Sequence, residues 1–114
     1  MTNINEKITK EFHSFYSLFE ENRAQKIEKI IQANLAKKTY DSTTDELTIC
    51  LVFDSCSIIL IKLIHYSELS ITLYHECTGA TPLIYHSDIS KNREILDSLF
   101  SIYSYKYFVK GDKI

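Results

Sequence analysis

The sequence predicts an α+β domain in which an antiparallel meander of three or four strands has helices before and after it, in the order α(α)βββ(β)α. Apolar residues recur every three or four positions up to about residue 38, alternate every second position over 47–53 and 69–74 on either side of an apolar run, and regain helical spacing after residue 88. Short turns separate the alternating segments, and short connections force neighbouring strands to run antiparallel. At 114 residues, 45% of them apolar, the chain has the size of a single domain with its own core, spanning 1–114.

Two N-terminal helices are predicted from two apolar stripes. The first stripe consists of Ile4, Ile8, Phe12, Phe15 and Phe19, and the second of Ile27, Ile30, Ile31 and Leu35. One helix over 4–37 would be about 50 Å long, which is too long for a compact domain of this size. Asn3 with Glu6, and Asn22 with Gln25, have the spacing of capping boxes, so a break is predicted near Asn22 and the second helix is predicted to run to about Lys38.

The middle of the chain has the period-two pattern of strands. Strands are predicted over 47–53, 58–66 and 69–76, with a short fourth strand over 83–86. The segment Asp-Ser-Cys-Ser at 54–57 predicts the first turn. Because 58–66 is apolar on both faces except at Lys62, it is predicted to be a central strand covered on both sides.

A last helix is predicted from about Ile89 to Tyr107, with Ser87 and Asp88 as its cap. Its predicted buried side consists of Leu96, Leu99, Phe100, Tyr103 and Tyr107. Helices that come before and after an antiparallel sheet are typical of two-layer α+β domains.

Charge is distributed unevenly along the chain although the net charge is only −2. Residues 39–90 hold seven acidic residues against Lys62 alone, whereas the segments on either side are each basic by two charges. A negative field of this kind attracts basic partners and repels nucleic acid, whose phosphates require clustered Lys and Arg. We therefore expect a basic protein partner and no binding to DNA or RNA.

The sequence also indicates a compartment. The first residues, MTNINEKITK, lack the apolar stretch of a secretory signal, and the apolar run 49–66 is interrupted by Asp54 and Lys62. Cys50, Cys56 and Cys77 are odd in number and lack C-x-x-C spacing, which is typical of reduced, mostly buried thiols. A cytoplasmic protein that does not enter the membrane is the expectation.

The stretch LYHECTGATPLIYH, residues 73–86, raises the question of a metal or catalytic site. If its two ends pair as a hairpin, His75, Cys77 and His86 could converge, and zinc accepts these ligand types. A fourth ligand is missing, and a Cys77–His86 nucleophilic pair would lack an orienting group and an oxyanion hole. Tyr and His also suit the half-buried ends of strands, so we expect no metal here and no catalysis.

Motifs for nucleotide binding and for common hydrolases are absent from the sequence. A loop that cradles a phosphate or cofactor needs glycines, and the chain has only Gly79 and Gly111. The sequence therefore predicts no cofactor, and a protein that is not an enzyme.

The polar segment Thr39–Glu46 is predicted to be a loop that leads into the first strand. It is either a solvated connector or an acidic docking surface with an aromatic anchor, continued by polar positions of the sheet. The predicted partner-binding residues are Tyr40, Asp41, Asp45, Glu46, Thr72, Tyr74 and Glu76.

Taken together, these features favour a small bacterial protein that acts by stoichiometric protein binding. The most concrete hypothesis is an immunity protein that neutralises a toxin, a basic nuclease, by covering its active site with an acidic surface. The alternative is a secretion chaperone that binds an effector segment as a homodimer. The stretch 50–76, CLVFDSCSIILIKLIHYSELSITLYHE, resembles the three-strand section of such chaperones over less than a third of the chain. The sequence does not decide between a monomer and a dimer.

Overall fold

The computed structural model describes residues 4–75, 79 and 81–111, and side chains within 6–102 of these. The helices and strands are α1 Ile4–Glu20, α2 Ala24–Asn34, β1 Leu35–Asp41, β2 Glu46–Asp54, β3 Ser57–Ile64, β4 Glu68–His75, β5 Leu83–Asp88 and α3 Arg93–Gly111. The strands form one antiparallel sheet in the order β1-β2-β3-β4-β5. The predicted α+β meander between helices is thus confirmed, with five strands instead of three or four.

The additional strand is β1, in a region predicted to be the end of a helix and a loop. The second helix ends at Asn34, not near Lys38, and Leu35 already has extended backbone angles (φ −67°, ψ 123°). Residues 35–41 then pair along β2, with one register shift between Leu35 and Lys37. This pairing supplies hydrogen-bond partners for the backbone groups along one edge of β2. The stabilisation from these long-range hydrogen bonds outweighs the local preference for helix that the spacing of apolar residues indicates.

The predicted break between the first two helices is confirmed, but its cause is not a capping box. Asn22 adopts a left-handed conformation (φ 60°), and the backbone N–H of Arg23 donates to the carbonyl of Leu18 at 2.9 Å, which is how many helices end. Arg23 precedes α2 without a side-chain cap. The Asn22 amide instead donates to Glu94 of α3 at 2.9 Å. Asn3, the other predicted cap, lies outside the described residues.

The last helix begins at Arg93, four residues later than predicted. Its cap is Asn92, whose side-chain oxygen accepts the backbone N–H of Ile95 at 3.3 Å. Asp88, the predicted cap, still belongs to β5 and accepts the N–H of Ser90 at 2.9 Å in the turn that follows. Ser87, Asp88, Ser90 and Asn92 are all residue types that cap helices, and because β5 continues to Asp88, the helix begins only after Asn92.

The core lies between one face of the sheet and the helices. Its strand residues alternate along β2, β3 and β4: Leu47, Ile49, Leu51, Ile59, Ile61, Leu63, Leu69, Ile71 and Leu73. Most of the predicted stripe residues are buried, and the last stripe is extended: Ile8, Phe12, Phe15, Phe19, Ile27, Ile31, Ile95, Leu96, Leu99 and Ile102. Ile30 and Phe100 are only partly buried, and Leu35 belongs to β1. Each fully buried side chain of this size contributes about 1.5–3 kcal/mol. The side chains of Ile4, Tyr103 and Tyr107 lie outside the described set.

The prediction that strand 58–66 is covered on both sides is wrong for the part of the chain that the structure describes. The helices pack on one face of the sheet, and Ile58, Leu60 and Ile64 point to the other face, where they are only half-buried. No helix among the described residues is long and apolar enough to cross a membrane.

The cysteines also differ from the expectation of reduced thiols. Cys56, in the turn between β2 and β3, forms a disulfide bond, whereas Cys50 forms none. Cys77 lies outside the described residues.

Candidate protein-binding face

The face of the sheet that points away from the helices is called the open face here. Residues directly opposite each other on antiparallel strands share a face, so the strand register defines rows across it. Two neighbouring rows are mainly apolar and hold the apolar patch: Val52, Ile58, Leu60, Tyr74 and Ile84. Val52, Tyr74 and Ile84 are 43%, 39% and 56% exposed, although apolar residues of this size usually bury more of their surface.

An acidic row crosses the open face at one end of the sheet. The register aligns Asp41, Glu46, Ile64, Glu68 and Asp88, one residue from each strand. At about 4.8 Å between neighbouring strands, the four carboxylates extend over roughly 19 Å. Ile64 stands in the middle of the row, and one row of polar residues separates the acidic row from the apolar patch: Thr39, Thr48, Lys62, Ser70 and His86.

The acidic row is unfavourable for the sheet itself. Asp41 lies directly opposite Glu46, and Glu68 lies directly opposite Asp88. Like charges in directly opposite cross-strand positions destabilise the pairing. Only Glu46 has an ion-pair partner among the described residues, Lys62 at 3.6 Å. Most of the negative charge in the row therefore does not stabilise the pairing of the strands.

Two of these carboxylates also form turns, but turns do not require their charge. Asp41 accepts the backbone N–H of Thr43 at 2.9 Å, and Asp88 accepts that of Ser90 at 2.9 Å. The bond to Ser90 lowers the pKa of Asp88, so this carboxylate is ionised at neutral pH. Asn forms the same turns through its side-chain oxygen without a charge.

The predicted partner-binding residues divide between the open face and a corner of the fold. Asp41, Glu46, Thr72 and Tyr74 lie on the open face, the first two in the acidic row and the last two within or beside the apolar patch. Thr72 is only 8% exposed, because Leu60 and Ile84 lie directly on either side of it. Glu76 lies outside the described residues.

Tyr40 and Asp45 form the corner, where the helix-facing side of the sheet meets the hairpin turns. The Tyr40 hydroxyl donates to Oδ1 of Asp45 at 2.6 Å, and its ring contacts Phe100 edge-on with centroids 6.1 Å apart. This hydrogen bond, with a second one to Tyr66, raises the pKa of the Tyr40 phenol. Tyr40 therefore holds the corner together and is not an exposed anchor.

The same corner includes a turn with an unusual sequence. His65 and Tyr66 both have positive φ, 55° and 56°, and the N–H of Ser67 donates to the carbonyl of Ile64 at 3.1 Å. Positive φ at both central positions is typical of hairpin turns that favour Asn-Gly. Stacking of Tyr66 on Phe100, with centroids 4.9 Å apart, and the bond from the His65 N–H to the Asp45 carbonyl stabilise it.

Sequence reasoning missed the apolar patch and half of the acidic row. The signal was present: β3 is apolar at every position except Lys62 and its first residue, Ser57. This pattern predicts burial on both sides, whereas in the structure one of the two apolar faces is exposed or half-buried. The sequence predicts Asp88 as a helix cap and does not single out Glu68 as a binding residue, and only the five-strand register brings both level with Asp41 and Glu46.

The metal and nucleophile hypotheses for residues 73–86 do not match the register. His75 lies level with Ser57 on the helix-facing side, whereas His86 lies level with Ser70 on the open face. These two histidines therefore do not converge, and Cys77 is outside the described residues. Within the described residues, no three His, Cys, Asp or Glu side chains form a metal-binding group.

A second cluster contains the residue types of a hydrolytic triad. Ser57 lies opposite Asp54 on one side and opposite His75 on the other. Ser57 is 0% exposed, so a substrate cannot reach its hydroxyl. A nucleophile must contact the reacting carbon, so this cluster is better explained by packing at the end of the hairpin.

A shallow apolar groove of about 460 Å³ lies between α1, α2 and the end of β2. Phe15, Leu18, Ile30 and Phe53 form its walls. Glu11, Ser14 and Lys26 also line it, but most of its exposed surface is apolar, whereas sites for small ligands combine apolar walls with several converging polar groups. The open face therefore has the stronger features of a binding surface. Comparisons with protein families, with curated proteins and with solved structures find no match to this chain.

Proposed function

We propose that this protein is a binding module that docks a basic partner protein on the open face of its sheet. The observation that carries the proposal is that the acidic row and the apolar patch share the open face, with one row of polar residues between them. The acidic row places like charges opposite each other at a cost to the fold, and three apolar side chains of the patch are between 39% and 56% exposed. A basic partner would offset that cost.

The layout corresponds to the general anatomy of protein interfaces, in which an apolar centre is bounded by a polar rim. Ile84 and Asp88 are four residues apart on the same face of β5, so apolar and acidic contacts are separated by about 13 Å along a strand. The partner should therefore present an apolar contact with Lys or Arg side chains at about that distance. Such charges speed association more than they increase affinity.

The most concrete form of the proposal is an immunity protein for a nuclease toxin. The active site of a nuclease binds phosphates and is therefore lined by basic groups, which an acidic surface can cover. The protein would act by stoichiometric binding, without catalysis or a cofactor, in the cytoplasm where the toxin would otherwise act. Reducing conditions there would open the Cys56 disulfide. Binding should therefore not depend on that bond, which lies in the turn at the opposite end of β3 from the acidic row.

The test is a protection assay with genes that neighbour this one in its genome. Each neighbour is expressed alone in a bacterial host, and any that arrests growth is then expressed together with this protein. We expect one such gene to be toxic and growth to recover on co-expression. The variant Asp41→Lys/Glu68→Lys/Asp88→Lys should give clearly weaker protection at equal expression.

If a toxic neighbour exists and this protein does not relieve it, the immunity proposal is wrong. If protection occurs but the triple variant protects as well as the wild type, the protein is an immunity protein that uses another surface. The two results separate the function from the face assigned to it.

A further inference from the structure

The two edges of the sheet differ in a way that indicates self-association. An edge strand presents unpaired backbone N–H and C=O groups to any strand that can lie alongside it. In this sheet the edges are β1 and β5. Proteins usually protect such edges with lysines, prolines or bulges.

The β1 edge has this protection. It carries Lys37 and Lys38 in its centre, and its register shifts between Leu35 and Lys37. Both features hinder the approach of another strand, because lysines resist burial and an irregular edge breaks the hydrogen-bond ladder.

The β5 edge lacks it. Its sequence, Leu-Ile-Tyr-His-Ser-Asp, contains no Lys, Arg or Pro, and its register with β4 is regular over all six residues. Leu83 and Ile84 are 37% and 56% exposed. Among the described residues, the only backbone hydrogen bonds of β5 are those of its pairing with β4. Half of the backbone groups of β5 are thus directed away from the sheet.

We infer that the β5 edge pairs with the β5 edge of a second copy of this chain, in antiparallel orientation, to form a continuous ten-stranded sheet. Two identical strands that pair antiparallel are related by a two-fold axis, so the contact is self-complementary and closes as a dimer. Pairing of β5 with β1 would instead continue as a filament, and the lysines and irregular register of β1 oppose it.

Charge is compatible with this pairing. Side chains opposite each other must share a face, which leaves two registers that pair five residues of β5 with five of the second copy. These registers place Asp88 opposite Pro82 or opposite Ile84 of the second copy, so its charge never faces another carboxylate across the seam. Ile84 lies at the seam on the open face, and its exposed apolar surface is partly covered.

The dimer leaves the open face of each copy accessible. Because the two-fold axis is perpendicular to the sheet, the apolar patch of each copy lies level with the acidic row of the other copy, and the two acidic rows lie at opposite ends of the joined face. The dimer would therefore present two equivalent docking surfaces for basic partners. The inference itself does not depend on the proposed function, since it rests on the edge strand alone.

The test measures the mass of the purified protein by sedimentation equilibrium at chain concentrations up to about 1 mM, the weak end of specific association. We expect a species of twice the 13.3 kDa chain mass. The variant Ile84→Lys should shift the mass to that of the monomer, because lysines resist burial and one beside the seam would hinder the pairing of the two β5 edges. The control Thr39→Lys adds the same charge at an exposed position of the β1 edge and should remain dimeric.

A second measurement uses the unmodified protein, so it does not depend on a variant that folds. Hydrogen exchange at high and low concentration should show that the β5 amides directed away from β4 become at least tenfold better protected in the dimer. A monomer at every concentration overturns the inference. A dimer that persists in Ile84→Lys, or that leaves these β5 amides unprotected, overturns it equally.

Discussion

Tyr40 shows how the environment of a residue changes its role. In the sequence it stands among carboxylates and predicts an exposed aromatic anchor. In the fold its hydroxyl donates to Asp45 at 2.6 Å, and its ring packs on Phe100. The bond to Asp45, followed by that to Tyr66, raises the pKa of the phenol above its ordinary value of 10.0, because removing the proton would leave a negative oxygen beside a carboxylate.

This raised pKa predicts a pH dependence of stability. A group whose pKa is raised by folding stabilises the folded state fully below the pKa of the unfolded chain, and this contribution is lost as pH rises above it. We therefore expect the stability of the wild type to fall above about pH 10, and that of Tyr40→Phe to fall less over the same range. Urea midpoints at about pH 9 and pH 11 measure the difference. Equal losses in the two proteins would contradict the assigned bond.

Asp54 predicts the opposite dependence. Its carboxylate accepts the backbone N–H of Cys56 at 2.8 Å, and this bond lowers its pKa below the ordinary 3.8. A lowered pKa stabilises the folded state above the unfolded value, and the contribution is lost as pH falls below it. Asp54→Asn keeps an acceptor oxygen but cannot titrate, so its urea midpoint should fall less than that of the wild type between about pH 5 and pH 2.5.

The matched control for Asp54→Asn is Asp97→Asn, at an exposed carboxylate of α3. This control should follow the wild type through the acid range. If Asp54→Asn also follows the wild type, the turn at 54–57 does not depend on the ionised side chain.

The two faces of the sheet differ in how far their apolar side chains are buried. The helix-facing residues of β2, β3 and β4 are nearly all below 2% exposed, whereas the apolar side chains of the open face are half-buried or exposed. Ile61 and Ile84 are chemically identical, lie on opposite faces, and differ from 1% to 56% in exposure. Burial measures what an apolar side chain contributes to folding, so apolar residues on the open face contribute little to it.

Paired substitutions test this difference. Ile61→Ala should lower the free energy of unfolding by about 2–5 kcal/mol, because it leaves a cavity in the core. Ile84→Ala should lower it by less than about 1 kcal/mol, the span of strand preferences at exposed sites. Urea denaturation of both variants measures the two losses in the free energy of unfolding. Comparable losses would mean that the open face is covered in the folded protein.

At the scale of the whole molecule, the uneven charge of the sequence becomes a directional field. The middle segment supplies all four carboxylates of the acidic row, which the meander aligns at one end of the open face. Association with a basic partner should therefore be fast at low salt and slower as salt rises, since the screening length is about 10 Å at 0.1 M.

The prediction is that reversal of Asp41, Glu68 and Asp88 to Lys lowers the association rate for the basic partner by roughly tenfold or more at low salt. The three residues are exposed, but the reversal keeps a like-charge pair between positions 68 and 88 and removes the turn acceptors Asp41 and Asp88, so urea denaturation must first show that the variant folds. Stopped-flow measurements at several salt concentrations give the rates. The control reverses Glu11, Glu20 and Glu21 on and after α1, which changes net charge equally away from the open face. If the control variant slows association as much, the association rate depends on the net charge of the protein and not on the position of the acidic row.

The sequence by itself determined the α+β class, most of the helical stripes, the break near Asn22 and four of the strands, because side-chain periodicity reports which faces of local elements are buried. Tertiary structure alone decided that residues 35–41 form β1, since the benefit of that strand comes from backbone bonds to β2 and not from its own pattern. It also decided that one face of β3 stays open and that Glu68 and Asp88 join Asp41 and Glu46 in one row. Periodicity is a property of a short segment, whereas strand register and the covering of a sheet face depend on segments far apart in the chain. The candidate binding face is a product of register and covering, so periodicity alone does not predict it.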